Sequence, residues 1–195
     1  MTDAHGAWRV FGERTVYDNR WVRLSLVEVE APNGERWEHH VVQLDRVAIA
    51  MLINERDEVL MLHRYRFAVD QWGYELLGGL VEDGEDPAAT AAREAVEESG
   101  WRPTGEPELL ASFEPMPGMV RARTDVYLFR GAEKVGEPTD TEEAGRLEWV
   151  PPDRVRELLR TNQLLGGGTI IAVQSFLLSR GVPGAGGQDE ATESA

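Results

Sequence analysis

Residues 78–101 read GGLVEDGEDPAATAAREAVEESGW, and the rest of the chain is interpreted around them. Gly79 is followed after five residues by Glu85, and seven more lead to Arg93-Glu94, Glu97-Glu98 and Gly100. The second half predicts a helix. Asp86 suits the N-cap, Pro87 the first helical position, and Gly100 the stop. At about 100° per residue, Ala88, Ala91, Ala92 and Ala95 share one small-residue face that can lie close to a sheet. Glu94, Glu97 and Glu98 crowd another face. Nothing basic sits between them, and a glycine-bearing loop leads into the helix. Clustered carboxylates on such a frame suit a hard divalent cation such as magnesium, which takes one or two carboxylates plus substrate phosphates.

The upstream stretch HRYRFAVDQWGYELLGG places Arg64 and Arg66 two apart, on one face of a strand next to this loop. Their planar forks suit phosphate or carboxylate recognition. Trp72 is a candidate for stacking on a base or ribose, with burial in the core as the alternative. Val47–Ile53 and Val59–Tyr65 predict two strands joined by residues 54–57, the first buried on both faces. Before them, residues 7–43 carry three short strands with turns at Asp18-Asn19 and Pro32-Asn33-Gly34. Three such strands make a poor core alone and must cover another surface. His39 and His40 are adjacent on a strand, point to opposite faces and are poor joint metal ligands.

Past the helix, residues 108–114 and 124–129 predict strands flanking the loop EPMPGMVRART. Arg121 and Arg123 there are candidates for an anionic end of a substrate. An acidic loop (140–143), a strand (146–150), a helix from Pro151-Pro152 to Arg160 and a closing helix (169–179) follow. Residues 182–195 read as a disordered tail by composition.

The chain has 195 residues with a net charge of −15. That surface repels polymeric nucleic acid and anionic membranes but admits a small anionic substrate where metal ions screen the site. No cysteine is present. The N-terminus lacks a basic stretch followed by an apolar one, so a cytoplasmic location is expected.

Gly79, Glu85, Arg93, Glu94, Glu97, Glu98 and Gly100, with Ala95 and Trp101 in two apolar slots, resemble the Nudix box at every specified position. The preceding segment is similar to the ADP-ribose pyrophosphatase branch, with Arg66 and Glu75 on its arginine and glutamate. Leu77-Gly78 stand where that branch has Pro-Ala, and the glutamate it carries near residues 119–123 is absent. The resemblance implies an α+β Nudix fold, an α/β/α sandwich around a mixed sheet, with an N-terminal antiparallel β lobe. It divides the chain into a dimer-forming lobe (1–44), a hydrolase domain (45–181) and the tail.

The implied activity is metal-dependent hydrolysis of a nucleoside diphosphate derivative, a nucleotide sugar such as ADP-ribose leading. Alternatives are a triphosphate or dinucleotide pyrophosphohydrolase and a nucleotide sensor without turnover. The absent cysteine sets aside the isopentenyl-diphosphate isomerase branch. The implied cofactor is magnesium, with manganese as its alternative. The expected metal ligands are Glu94, Glu98, Glu97 and the Gly78 carbonyl, with Glu85 and Arg93 bracing the loop. Arg64, Arg66, Trp72, Glu75, Arg121 and Arg123 are expected at the substrate. The general base is open among Glu97, Glu114 and Glu142 or Glu143, with Glu97 ranked first. A homodimer is expected.

Overall fold

The structure, a computed structural model, describes residues 7–139 and 145–181. The acidic loop with Glu142 and Glu143 and the tail from 182 lie outside the described residues.

The hub is β4 (Val47–Ile53), whose side chains are almost all buried on both faces. It pairs in parallel with β11 (Thr124–Arg130) and antiparallel with β7 (Leu77–Leu80). It meets β5 (Val59–Arg66) only at Ile53 opposite Val59, because β5 turns away to pair with β6 (Gln71–Glu75). Adding β9 (Glu108–Phe113) and β13 (Arg146–Val150) gives a mixed seven-stranded sheet. Helix α1 (Pro87–Ser99) covers one face, burying Ala91 and Ala95 against Ala48, Ala50, Leu52, Leu62 and Leu77. On the other face, α2 (Pro152–Arg160) and α3 (Gly167–Gly181) bury Val155, Leu158, Val173 and Phe176 against Met51, Met61 and Val126. Short β8 (Trp101–Pro103) and β12 (Ala132–Lys134) form a separate ribbon. The result is the expected α/β/α sandwich. No helix among the described residues is long and apolar enough to cross a membrane.

The N-terminal strands form as read: β1 (Arg9–Asp18), β2 (Arg23–Glu30) and β3 (Arg36–Gln43) make an antiparallel meander. One addition was not expected. β10 (Val120–Arg121) joins β3 in parallel, so the lobe's sheet borrows a strand from the loop past the helix. Every residue of β1 is exposed, including Val10, Phe11, Val16 and Tyr17.

Candidate active site

Two backbone details set the catalytic-loop geometry. Gly78 and Gly79 belong to strand β7 rather than to a loop, paired opposite Ile49 and Ala48. A side chain at Gly78 would press on the Ala48 carbonyl and the Ile49 backbone. One at Gly79 would occupy the place of the Glu94 carboxylate, closer than real side-chain atoms approach. The glycines therefore let β7 run under α1 with a carboxylate between them. Asp86 caps α1 by accepting from the Ala88 and Ala89 N–H groups, at 2.9 and 3.2 Å, and Gly100 closes it with a left-handed φ of 70°. This fixes the helix register, and with it which side Glu94 and Glu98 face. The Gly78 N–H donates to Glu98 Oε2 at 2.7 Å.

The expectation that nothing basic neutralises the glutamates fails in three dimensions. Arg93 grips Glu85 bidentately, Nε to Oε1 at 3.0 Å and Nη2 to Oε2 at 3.1 Å. Its Nη1 also donates to Glu94 Oε1 at 2.8 Å and Glu97 Oε2 at 2.9 Å. Hydrogen bonds from Arg93, and then from Thr90, hold the Glu85 carboxyl down to about 2, and the same ring of carboxylates raises the Arg93 guanidinium further above its ordinary range. The two residues thus tie the loop to the helix through a bidentate ion pair.

Arg64 lies elsewhere than a substrate site. It is buried, donating from Nε to Glu75 at 2.8 Å and from Nη1 to Glu98 at 3.2 Å. Arg66 holds the same Glu75 at 2.8 Å with a half-exposed side chain. Alternation along β5 puts Arg64 and Arg66 on one face, as read, and Trp72 on the other, stacked on His63 at 5.4 Å. Trp72 is neither core nor beside the arginines; it is 65% exposed. Arg121 pairs with Glu13 of the lobe at 3.3 Å, and Arg123 with Asp125 at 3.5 Å. These six residues therefore do not form one substrate surface. Arg64, Arg66 and Glu75 form an ionic core beneath Glu98, and the other three lie on separate elements.

A cavity of about 640 Å³ opens at the loop, lined by Gly78 to Asp83, Arg93, Glu94 and Glu98 together with Trp21 and Asp45. Trp21 and Asp45 were missed in the sequence, because both lie in links outside the motif; Asp45 reaches the box loop only where β4 runs beside β7 and the Val81 N–H donates to the Arg46 carbonyl at 2.8 Å. Among the candidate bases, Glu114 is occupied by the Ala122 N–H at 3.0 Å, and Glu97 sits on Arg93, half-exposed and outside the cavity lining.

Among the described residues, no group of three or more His, Asp or Glu side chains converges to hold a metal. Of the three glutamates expected as ligands, Glu94 and Glu98 line the cavity and Glu97 does not, while Arg93 holds both Glu94 and Glu97. What remains fits magnesium: Glu94 and Glu98 both reach the cavity beside Gly78, and two carboxylates with a carbonyl leave positions for water and phosphate oxygens. The charge also fits. Glu75, Glu85, Glu94, Glu97 and Glu98 face Arg64, Arg66 and Arg93, a surplus of two negative charges.

The NUDIX domain model matches residues 43–166. The chain is 46% identical over 170 residues to a CMP-5'-(N-acetyl-N-hydroxy-3-aminopropyl)phosphonate hydrolase of Streptomyces rubellomurinus, covering 87% of this chain and 82% of that protein. It is 22% identical to an ADP-ribose pyrophosphatase of Bacillus subtilis, covering 87% and 92%. The crystal structure of an ADP compounds hydrolase superposes with a TM-score of 0.77 over 89% of this chain and 96% of that one, at 17% identity. With the box filled at every specified position and its arginine and glutamates locked in one frame, the chain belongs to the Nudix family and is a pyrophosphohydrolase.

Proposed function

We propose that the enzyme hydrolyses the anhydride joining a nucleoside 5'-phosphate to a second phosphoryl or phosphonyl group, using magnesium, with manganese as a substitute. The observation that carries this reading is the cavity in which Glu94, Glu98 and the Gly78 backbone meet beside Arg93. When bound there, the metal would screen the phosphate charge and activate water. Glu94 and Glu98 hold that ion. Arg93 and Glu85 keep the strand-to-helix junction rigid, and Arg64 anchors Glu98 from below. In the reaction, a water oxygen bonds to one phosphorus and the bond from that phosphorus to the bridging oxygen breaks; the dianionic anhydride yields two monoanionic products with no proton released, or two dianionic products with release of both protons of the water.

Two substrates fit the class. ADP-ribose is the one expected from the box and its upstream segment. A CMP-linked phosphonate is favoured by the 46% identity to a hydrolase of that name, against 22% to an ADP-ribose pyrophosphatase. The reading includes a homodimer formed through the lobe, supported by the exposed apolar residues of β1, and a cytoplasmic location. The test is a substrate panel with magnesium: ADP-ribose, a CMP-phosphonate, triphosphates and dinucleotides, with products identified by chromatography. Release of a nucleoside monophosphate from the first two, and little from the rest, is the expected result. Binding without turnover across the panel would instead establish the sensor.

A further inference from the structure

We propose that Asp45 is a specificity-determining residue that accepts a hydrogen bond from the exocyclic amino group of the substrate's nucleobase, selecting cytosine and adenine over uracil and hypoxanthine. The proposal rests on the hydrolase reading above for the site, but not for its test. Asp45 lines the cavity together with residues of the catalytic loop. The backbone on both sides of it is pinned. The Leu44 N–H donates to the Arg121 carbonyl at 3.0 Å, the Val47 N–H to Arg123 at 2.9 Å, and the Arg46 carbonyl accepts from the Val81 N–H at 2.8 Å. The Arg46 guanidinium is fastened to Asp125, only 1% exposed, through Nε at 2.6 Å and Nη2 at 2.5 Å. Ser112 Oγ fills the other oxygen of Asp125 at 2.5 Å. Asp45 is thus the residue of this clamped segment that lines the cavity. Among the described residues its carboxylate makes no hydrogen bond or ion pair, whereas Glu85, Glu94, Glu97 and Glu98 are each held by an arginine.

The position also has a neighbour. Trp21 lies in the turn just before β2, where its backbone N–H donates to the Asn19 side chain at 2.8 Å. Trp21 lines the same cavity and is 56% exposed, with the Arg20 guanidinium 4.1 Å from its ring centroid. An indole face accepts any base by stacking and is indifferent to its edge. A carboxylate beside it is not indifferent: ionised, it only accepts, so it pairs with the amino group of cytosine or adenine and repels the keto oxygen of uracil or hypoxanthine. The substrates named for the two relatives, a CMP derivative and ADP-ribose, both carry such an amino group.

The test is calorimetric binding of CMP, UMP, AMP, IMP and 2'-deoxy-CMP, with magnesium, to the full chain and to Asp45→Asn. The same comparison is made in turnover of a matched cytidine and uridine diphosphate pair. The wild type is expected to favour CMP over UMP and AMP over IMP by about tenfold, the size of one charge-assisted hydrogen bond. Asparagine, which both donates and accepts, should bring both ratios close to one. Glu82→Gln and Asp83→Asn, which alter the other open carboxylates of the cavity wall, should leave the base ratios as they are. Equal wild-type binding of CMP and UMP, or ratios unmoved in Asp45→Asn, overturns the proposal. So does an Asp45→Asn defect that vanishes with 2'-deoxy-CMP, which would place the carboxylate on the ribose. A protein that binds with this preference yet hydrolyses nothing would refute the hydrolase reading and leave this one standing.

Discussion

Arg64 offers the sharpest separation of a structural from a substrate role, through Arg64→Leu. The guanidinium is buried between Glu75 and Glu98, and the Glu98 side chain is only 2% exposed. Removing one partner of a buried pair costs about 3–5 kcal/mol, because the remaining charge loses its compensation. Glu75 keeps Arg66, so the loss falls mainly on Glu98 and lies near the lower end, about 3 kcal/mol. In a chain of this size, about 3 kcal/mol corresponds to a fall in Tm of roughly 6–12 °C. The assay is urea and thermal unfolding in chelator and in saturating magnesium. The variant should recover more stability from magnesium than the wild type does, since a cation at Glu98 replaces the missing charge; a hundredfold excess over Kd contributes about 2.7 kcal/mol. Arg64→Leu with Glu98→Leu, which removes the buried charge itself, should return most of the lost stability in chelator. A single variant within about 2 °C of wild type in chelator would refute the ionic-core assignment and return Arg64 to the substrate.

Gly79→Ala should leave the fold stable, because the clash is with the movable end of Glu94, but should lower magnesium affinity at least tenfold, measured as half-saturation of turnover. Glu85→Gln tests the acid limb. The Glu85 carboxyl is lowered to about 2 by Arg93, so its contribution is complete above the ordinary carboxylate range and fades as pH falls through about 2. Unfolding curves of wild type and variant should therefore differ at pH 6 and converge towards pH 2; a constant gap would contradict the assignment. Light scattering at micromolar concentration should show a dimer, and removal of residues 7–43 should cause aggregation. A monomeric full chain would refute the role given to the lobe.

The box was legible because its elements are local. Asp86, Pro87 and Gly100 state the helix ends, and the alanine face states which side meets the sheet. The three lobe strands announced themselves by alternation and turn residues. What could not be read depends on pairings distant in sequence. Arg93 and the glutamates are neighbours in the motif, yet only the folded loop brings Glu85 eight positions back onto the same guanidinium. The burial of Arg64 depends on β5 passing beneath α1, so a residue typical of surfaces became an internal counter-ion. Gly78 and Gly79 looked like loop glycines because their constraint comes from Ile49, Ala48 and Glu94, none adjacent to them. Trp21 and Asp45 carried no signal at all: Trp21 sits in the turn before β2, and Asp45 in the link between β3 and β4, beside the Arg46 carbonyl that meets Val81 of the box loop.

The central claim is that Glu94 and Glu98 hold a divalent cation that drives cleavage of a nucleotide anhydride. Its most direct measurement is turnover of a CMP-phosphonate and of ADP-ribose against magnesium concentration, for wild type and Glu98→Gln, each checked for a native unfolding transition. The account predicts no turnover after exhaustive chelation, restoration by magnesium, and a loss on the order of 10²-fold or more in Glu98→Gln at saturating metal. Hydrolysis that survives chelation undiminished, or a folded Glu98→Gln within about threefold of wild type, far short of that electrostatic loss, would contradict it.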